Sequence, residues 1–436
     1  MSRTGLRTLI VVVLAAAALT GCSLWEDEER LAGERINIRN QQSDLSTRAT
    51  ASGGPVPAPV GNADWTQTNA QASHASGHLA GPSTLNRVWT ADAGSGGGAA
   101  ITSAPIVVGG RVYALDAEAQ VSAIDASSGD VVWRTDLAPQ GESGEDGFGG
   151  GLASNGNRIF VTTGFGEIVA LDAASGEEAW RYRVNSPFRA APAVAGGLVV
   201  AVSRANRAYA VATSTGQIVW RIDGITATAG LLGGASPAAS GGLVVLPFAS
   251  GEVIGAQLAT GRRAWSAVLG GARRGLARSS ISDVTGDPVI AGRLVVTANQ
   301  SGRMVAIDGQ TGRRGWTRSV GSMGPIWVAG DSLYVVSDDA TLQRLSLSNG
   351  ATIWSTELPA FEDREDREDP IAYSGPVLAG GNLLVTDTLG TFHSFDPETG
   401  APGATVDLSS GTTTGAVVAS GSVYVLSGDG TLQAFR

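Results

Sequence analysis

Side chains able to do covalent or acid–base chemistry are scarce in this 436-residue chain: one cysteine, Cys22, and three histidines, His74, His78 and His393. All 30 basic residues are arginine. Without lysine there is no Schiff-base amine and no phosphate loop ending in Gly-Lys-Ser/Thr. A single cysteine rules out a disulfide framework, a Cys-based zinc site, a Cys-ligated iron–sulfur cluster and a Cys-x-x-Cys-His haem site. His74 and His78 have the i, i+4 spacing of two metal ligands on one helix face. They lie in a Ser/Gly/Ala-rich stretch with no third ligand nearby, so loop polar contacts are expected instead. His393 stands alone in a strand-like run and is expected to be structural. The run Glu362–Asp369 holds six acids and two arginines and reads as a solvated loop, with a calcium or basic-partner site as the alternative. The glycine-rich stretches 94–98 and 141–151 lack the helix that a nucleotide loop needs. The expectation is no catalytic residue, no cofactor and no metal.

The cysteine gains meaning from its place in the chain. Arg3 and Arg7 precede an apolar run, Leu9 to Leu19, of about eleven residues, too short to span a bilayer and right for a signal-peptide core. The run ends in Leu19-Thr20-Gly21-Cys22, which resembles the lipobox of bacterial lipoproteins. That resemblance implies removal of residues 1–21, lipidation of Cys22 and, with Ser23 next to it, retention at the outer membrane. Each buried acyl methylene adds about 0.8 kcal/mol, so several chains anchor stably. The leader carries two arginines and no acid, which leaves 28 basic against 40 acidic residues, or −12. That sign disfavours nucleic acid. Residues 22–82, with the acidic run Glu26–Glu29 and then Ser, Thr, Gly and Pro, read as the lipidated cysteine and a flexible tether.

The elements behind these residues repeat. Units such as the one from Ser103 to Trp133 alternate β-branched runs with Gly-Gly, Ser-Gly or Thr-Gly turns, four short strands to a unit. Trp89, Trp133, Trp180, Trp220, Trp265, Trp316 and Trp354 are spaced by 44, 47, 40, 45, 51 and 38 residues. Four strands per 40–50 residues mean propeller blades. Six of these tryptophans follow a turn glycine by four residues (Gly129, Gly176, Gly216, Gly261, Gly312 and Gly350), whereas Gly400 is followed by Ala404. The last unit, from Thr414, ends one strand short, and Leu85–Ala91 supplies an orphan strand bearing Trp89. The spacing predicts an all-β, eight-bladed propeller of four-stranded antiparallel blades over 83–436, closed by the N-terminal strand.

The pattern Ala-Ile-Asp-x-x-Ser/Thr-Gly-x-x-x-Trp resembles the tryptophan-docking repeat of quinoprotein dehydrogenases. Asp125, Asp172, Asp308 and Asp396 keep its acidic position, where an aspartate normally bonds its own turn. Those enzymes imply pyrroloquinoline quinone, calcium ligands and, in many members, adjacent cysteines. Repeat and lipobox together resemble the BamB family, lipoproteins of the outer-membrane β-barrel assembly machinery, and the segment from Asp64-Trp65-Thr66-Gln67 through His78-Leu79 resembles that family's entry into the propeller. This implies a non-enzymatic scaffold, with the insertase BamA, other machinery subunits and nascent β-barrels as partners; a quinone-dependent dehydrogenase or a ligand-sensing lipoprotein is the alternative. Family contacts to BamA fall on neighbouring loops, which map here onto Leu231 and Leu232, onto Arg273, Arg274 and Arg278, and onto Asp283 in its Ser-Asp-Val run. Strand addition of nascent chains at a blade edge is a further expectation.

Overall fold

The computed structural model describes residues 52–97, 101–227, 229–231, 233–270 and 281–436. Strands form where β-branched and small apolar residues run together, and paired glycines turn them. At Gly109 and Gly110 both φ angles are positive, 57° and 77°. A two-residue hairpin turn of the primed type needs that, and Val108 pairs with Arg111 across it. Seven units repeat the same four-stranded antiparallel meander, spanning 106–136, 150–183, 193–223, 238–268, 284–318, 327–357 and 373–407. We number them blades 1 to 7.

Blade 8 contains strands Val417–Ala419, Ser422–Leu426 and Thr431–Phe435, with Arg87–Asp92 docked antiparallel as its outermost strand. The eight-bladed ring closed by an N-terminal strand is therefore present, and Trp89 pairs with Ala434 in it. Middle strands are buried on both faces because blades stack face to face; Val121 to Ile124 is one such run. Outer strands such as Val131–Asp136 alternate between exposed and half-buried.

Each repeat tryptophan docks on the following blade. The indole N–H of Trp220 donates to Leu258 O at 2.7 Å and that of Trp265 to Gly309 O at 2.8 Å, while Trp89 joins blade 8 to blade 1 through Ala126 O. Beneath Trp89 lies Gly129 (φ 83°), where a Cβ would come within 2.9 Å of the ring. Blade 7 has Ala404 in the tryptophan position, and its junction with blade 8 uses Phe392 against Phe435, edge to face at 5.6 Å. The repeat aspartates act as turn formers. Asp125 Oδ1 accepts from the N–H of Ser127 and Ser128, and Asp172 Oδ1 from those of Ala174 and Ser175.

Part of the expected tether is corrected. Residues 62–79 make one circuit of the channel mouth and bond the inner strand of every blade in ring order. Asn62 bonds Val418 and Ser420 of blade 8. Trp65 exchanges backbone bonds with Val107 of blade 1, Thr66 O accepts from Ser154 of blade 2, and the Gln67 amide brackets Val194 of blade 3. Ala72, Ser73, Gly77 and Leu79 then reach Ala239, Ile290, Val328 and Leu378 of blades 4 to 7. Inner strands end with unpaired backbone groups towards the channel, and a buried group left unpaired is costly. The segment satisfies them, so 62–79 is part of the propeller.

The expected loop contacts of the two neighbouring histidines are found in this segment. His78 Nδ1 lies 2.6 Å from Pro57 O, and its Nε2 accepts from Gly381 N at 3.0 Å. The second bond makes Nδ1 the protonated nitrogen. His74 Nδ1 sits 2.8 Å from Pro288 O, and burial pushes this imidazole down to about 4. Next to Pro288, burial raises the Asp287 carboxyl to about 7 against the lowering bond from Ser236 N–H.

The two shifts act with opposite sign. Unfolded His74 takes a proton below its ordinary 6.5 while the folded form waits until about 4, so its contribution to stability falls as pH drops through that window. Unfolded Asp287 loses its proton above 3.8 while the folded form holds it to about 7, so its contribution falls as pH rises. Each slope is about 1.4 kcal/mol per pH unit, and between pH 4 and 6.5 they nearly cancel. Urea unfolding across that range, read as the difference from wild type, separates the two. His74→Gln should lose stability as pH rises, and Asp287→Asn should gain it.

Candidate functional site

At the ends of the inner strands away from that circuit, connections between blades form a loop face. In the strand Val284–Ala291, Asp283 precedes one end and Ile290, which bonds the circuit, lies near the other, roughly 20 Å apart at about 3.3 Å per residue. The connection from blade 3 to blade 4, residues 224–237, carries Leu231. Its small residues give it no core of its own, and three carboxylates in the ring hold its backbone. Glu252 Oε2 accepts from Ile225 N at 2.9 Å, Asp283 Oδ2 from Leu231 N at 2.9 Å and Asp287 Oδ1 from Ser236 N at 2.7 Å.

The middle clasp is the most elaborate. Arg189, from the connection between blades 2 and 3, places Nη1 2.6 Å from Asp283 Oδ2 and Nη2 3.3 Å from Oδ1. Nη1 also donates to Leu231 O and Gly233 O at 2.9 and 3.2 Å. Asp283 is fully buried and the Arg189 side chain is 11% exposed. A paired, hydrogen-bonded guanidinium and carboxylate can be kept in such a place, and either alone cannot. Gly230 closes over the pair, where a Cβ would lie 3.0 Å from Arg189 Nη1 and 3.2 Å from Asp283 Oδ2. Both backbone groups of Leu231 are thus held, and its side chain is half-buried.

This arrangement changes the part expected of Asp283. A carboxylate with no accessible surface cannot touch a partner in this conformation; it positions the loop that can. Arg189 has no signal in the sequence, because it meets Asp283 from 94 residues away. Cys22, Leu232, Arg273, Arg274 and Arg278 lie outside the described residues.

The remaining candidates are dispersed. His393 Nε2 bonds Asp387 Oδ2 at 2.8 Å inside blade 7. The acidic run forms an outward hairpin, Phe361–Asp363 against Glu368–Pro370. Among the described residues no three His, Cys, Asp or Glu side chains gather as a metal site, and none is a cysteine. The described residues thus do not fit the calcium and cysteine set that a quinoprotein dehydrogenase implies. No helix among them is long and apolar enough to cross a membrane.

Eight four-stranded blades, seven of them docked by a repeat tryptophan, define a propeller of the quinoprotein type. Its fold is shared with the quinohemoprotein alcohol dehydrogenase of Comamonas testosteroni, at 14% identity and a TM-score of 0.66 over 91% of this chain and 82% of that one. It is shared equally with BamB from Moraxella catarrhalis, at 18% identity and 0.67 over 81% of this chain and 100% of that one. Sequence separates the two. The family described as outer membrane protein assembly factor BamB matches residues 81–146, 117–356 and 364–436, and the chain belongs to that family. The outer membrane protein assembly factor BamB of Yersinia pestis is 26% identical over 98% of both chains, and that of Salmonella typhimurium 27% over 98% of both.

Proposed function

We propose that this chain is a non-enzymatic scaffold of outer-membrane protein assembly, held by lipid at Cys22 to the periplasmic face of the outer membrane and docking BamA through the Leu231 loop. Nascent β-barrel proteins are the clients. The Arg189–Asp283 clasp carries the reading: a buried carboxylate, a largely buried guanidinium and a glycine are committed to one surface loop. Rigid loops lose little freedom on association, and that is where affinity is gained. Relatives named as assembly factors over nearly the full length support the same role.

Capture from detergent-solubilised envelopes tests it. Wild-type chain should recover BamA together with other machinery subunits, and failure to recover BamA under conditions that keep a known assembly complex intact would sink the docking reading. Cys22→Ala should move the protein from the membrane to the soluble fraction. Unchanged membrane retention would remove the lipid anchor from the proposal and leave the docking surface standing.

A further inference from the structure

The loop that carries Leu231 holds a second apolar residue outside the core, six positions upstream. Ile225 is 55% exposed. The fold gains little from fixing an exposed isoleucine, yet both of its backbone groups are clamped. Its N–H donates to Glu252 Oε2 at 2.9 Å and its carbonyl accepts from Asn206 Nδ2 at 2.6 Å. Both clamping side chains are buried and tied down in turn. Ser266 Oγ donates to Glu252 Oε1 at 2.7 Å, and Ala249 N to Asn206 Oδ1 at 3.0 Å. Val268, also about half exposed, pairs with Glu252 in the strand register.

Around this apolar spot the surroundings are charged. Arg207 pairs with Asp223 at the root of the loop, and the Arg263 guanidinium donates to the Asp223 carbonyl. An apolar centre inside a polar rim is the arrangement of an interface anchor. Six residues of chain reach at most about 20 Å. A standard interface covers about 800 Å² per partner, a patch roughly 30 Å across. One footprint therefore takes in both Ile225 and Leu231.

We propose that Ile225 is a second anchor of the docking surface, seated in an apolar depression of the same folded protein that engages Leu231, with Glu252 and Asn206 as its positioning residues. This rests on the docking reading above and extends it to a residue that the family resemblance does not name. The occupant is a structured protein surface, because a pinned single anchor complements a preformed depression and gives no advantage against a fluid bilayer.

The test measures affinity of the full mature chain for purified BamA periplasmic domains. Ile225→Asp should weaken binding at least ten-fold and Ile225→Ser several-fold, both without change in melting temperature, since the side chain is exposed. Glu252→Ala should weaken binding in the wild-type loop and add nothing in the Ile225→Ser background, which a merely structural role would not produce. Wild-type affinity for Ile225→Asp, alongside loss in Leu231→Asp, would overturn the second anchor and leave the docking reading intact. Wild-type affinity for both would overturn the docking reading itself. Equal loss from Glu252→Ala in both backgrounds would remove its positioning role, and the exposed Ile225 variants decide the anchor even if Glu252→Ala folds poorly.

Discussion

Asp283→Ala is expected to lower stability by about 3–5 kcal/mol and to abolish recovery of BamA. The substitution strands the Arg189 guanidinium in a site that is almost closed to water, and it removes the acceptor of Leu231 N–H. Asp283→Asn should fall between: it keeps the shape and an oxygen for Leu231 but loses the charge that balances Arg189. The informative variant is the double one, Arg189→Met with Asp283→Leu. Replacing a buried pair by apolar residues of similar size is often neutral for stability, so urea unfolding should return close to wild type. The loop would still lack the bonds to Leu231 and Gly233, so BamA capture should stay low. Stability and docking then separate, and a double variant that captures BamA like wild type would show that the clasp serves only the fold.

The clasp also marks where sequence reading ends. Blade number and closure were legible because their signals are local and periodic: tryptophans at blade spacing, a turn glycine four residues before, and a last unit missing one strand. The repeat aspartates were legible for the same reason, since each bonds its own turn two and three residues on. Asp283 carries no such local signature. An acid in a Ser-Asp-Val run reads as a surface charge until Arg189 arrives from another blade. Glu252 is similar, because its partner Ile225 lies on the preceding connection.

The circuit 62–79 was hidden for a different reason. Its composition is that of a linker, and its bonds go to backbone atoms spread from Val107 to Ser420. Backbone partners leave no trace in residue type. Only resemblance to the family's entry into the propeller marked residues 64–79 in the sequence, and Trp65 is the residue whose loss should tell most.

Trp65→Ala is expected to cost about 3–5 kcal/mol, the range for truncating a large buried aromatic. Trp65 is 3% exposed and stacks on Trp327 of blade 6 with centroids 5.9 Å apart and planes 20° from parallel. Trp327 is itself fully buried and donates to Gly77 O at 2.7 Å. The stack therefore ties the start of the circuit to its far side across the channel. The Trp65 indole N–H is buried without a partner among the described residues, so Trp65→Phe removes that donor while keeping a ring, and it should lose far less than alanine. Because the segment bonds all eight inner strands, the alanine variant should unfold earlier in a single transition, with faster amide exchange at Gly77 and Leu79 and also in the inner strands they meet. Exchange that rises only in residues 62–79, with the urea midpoint unmoved, would mean that the ring stands without its circuit.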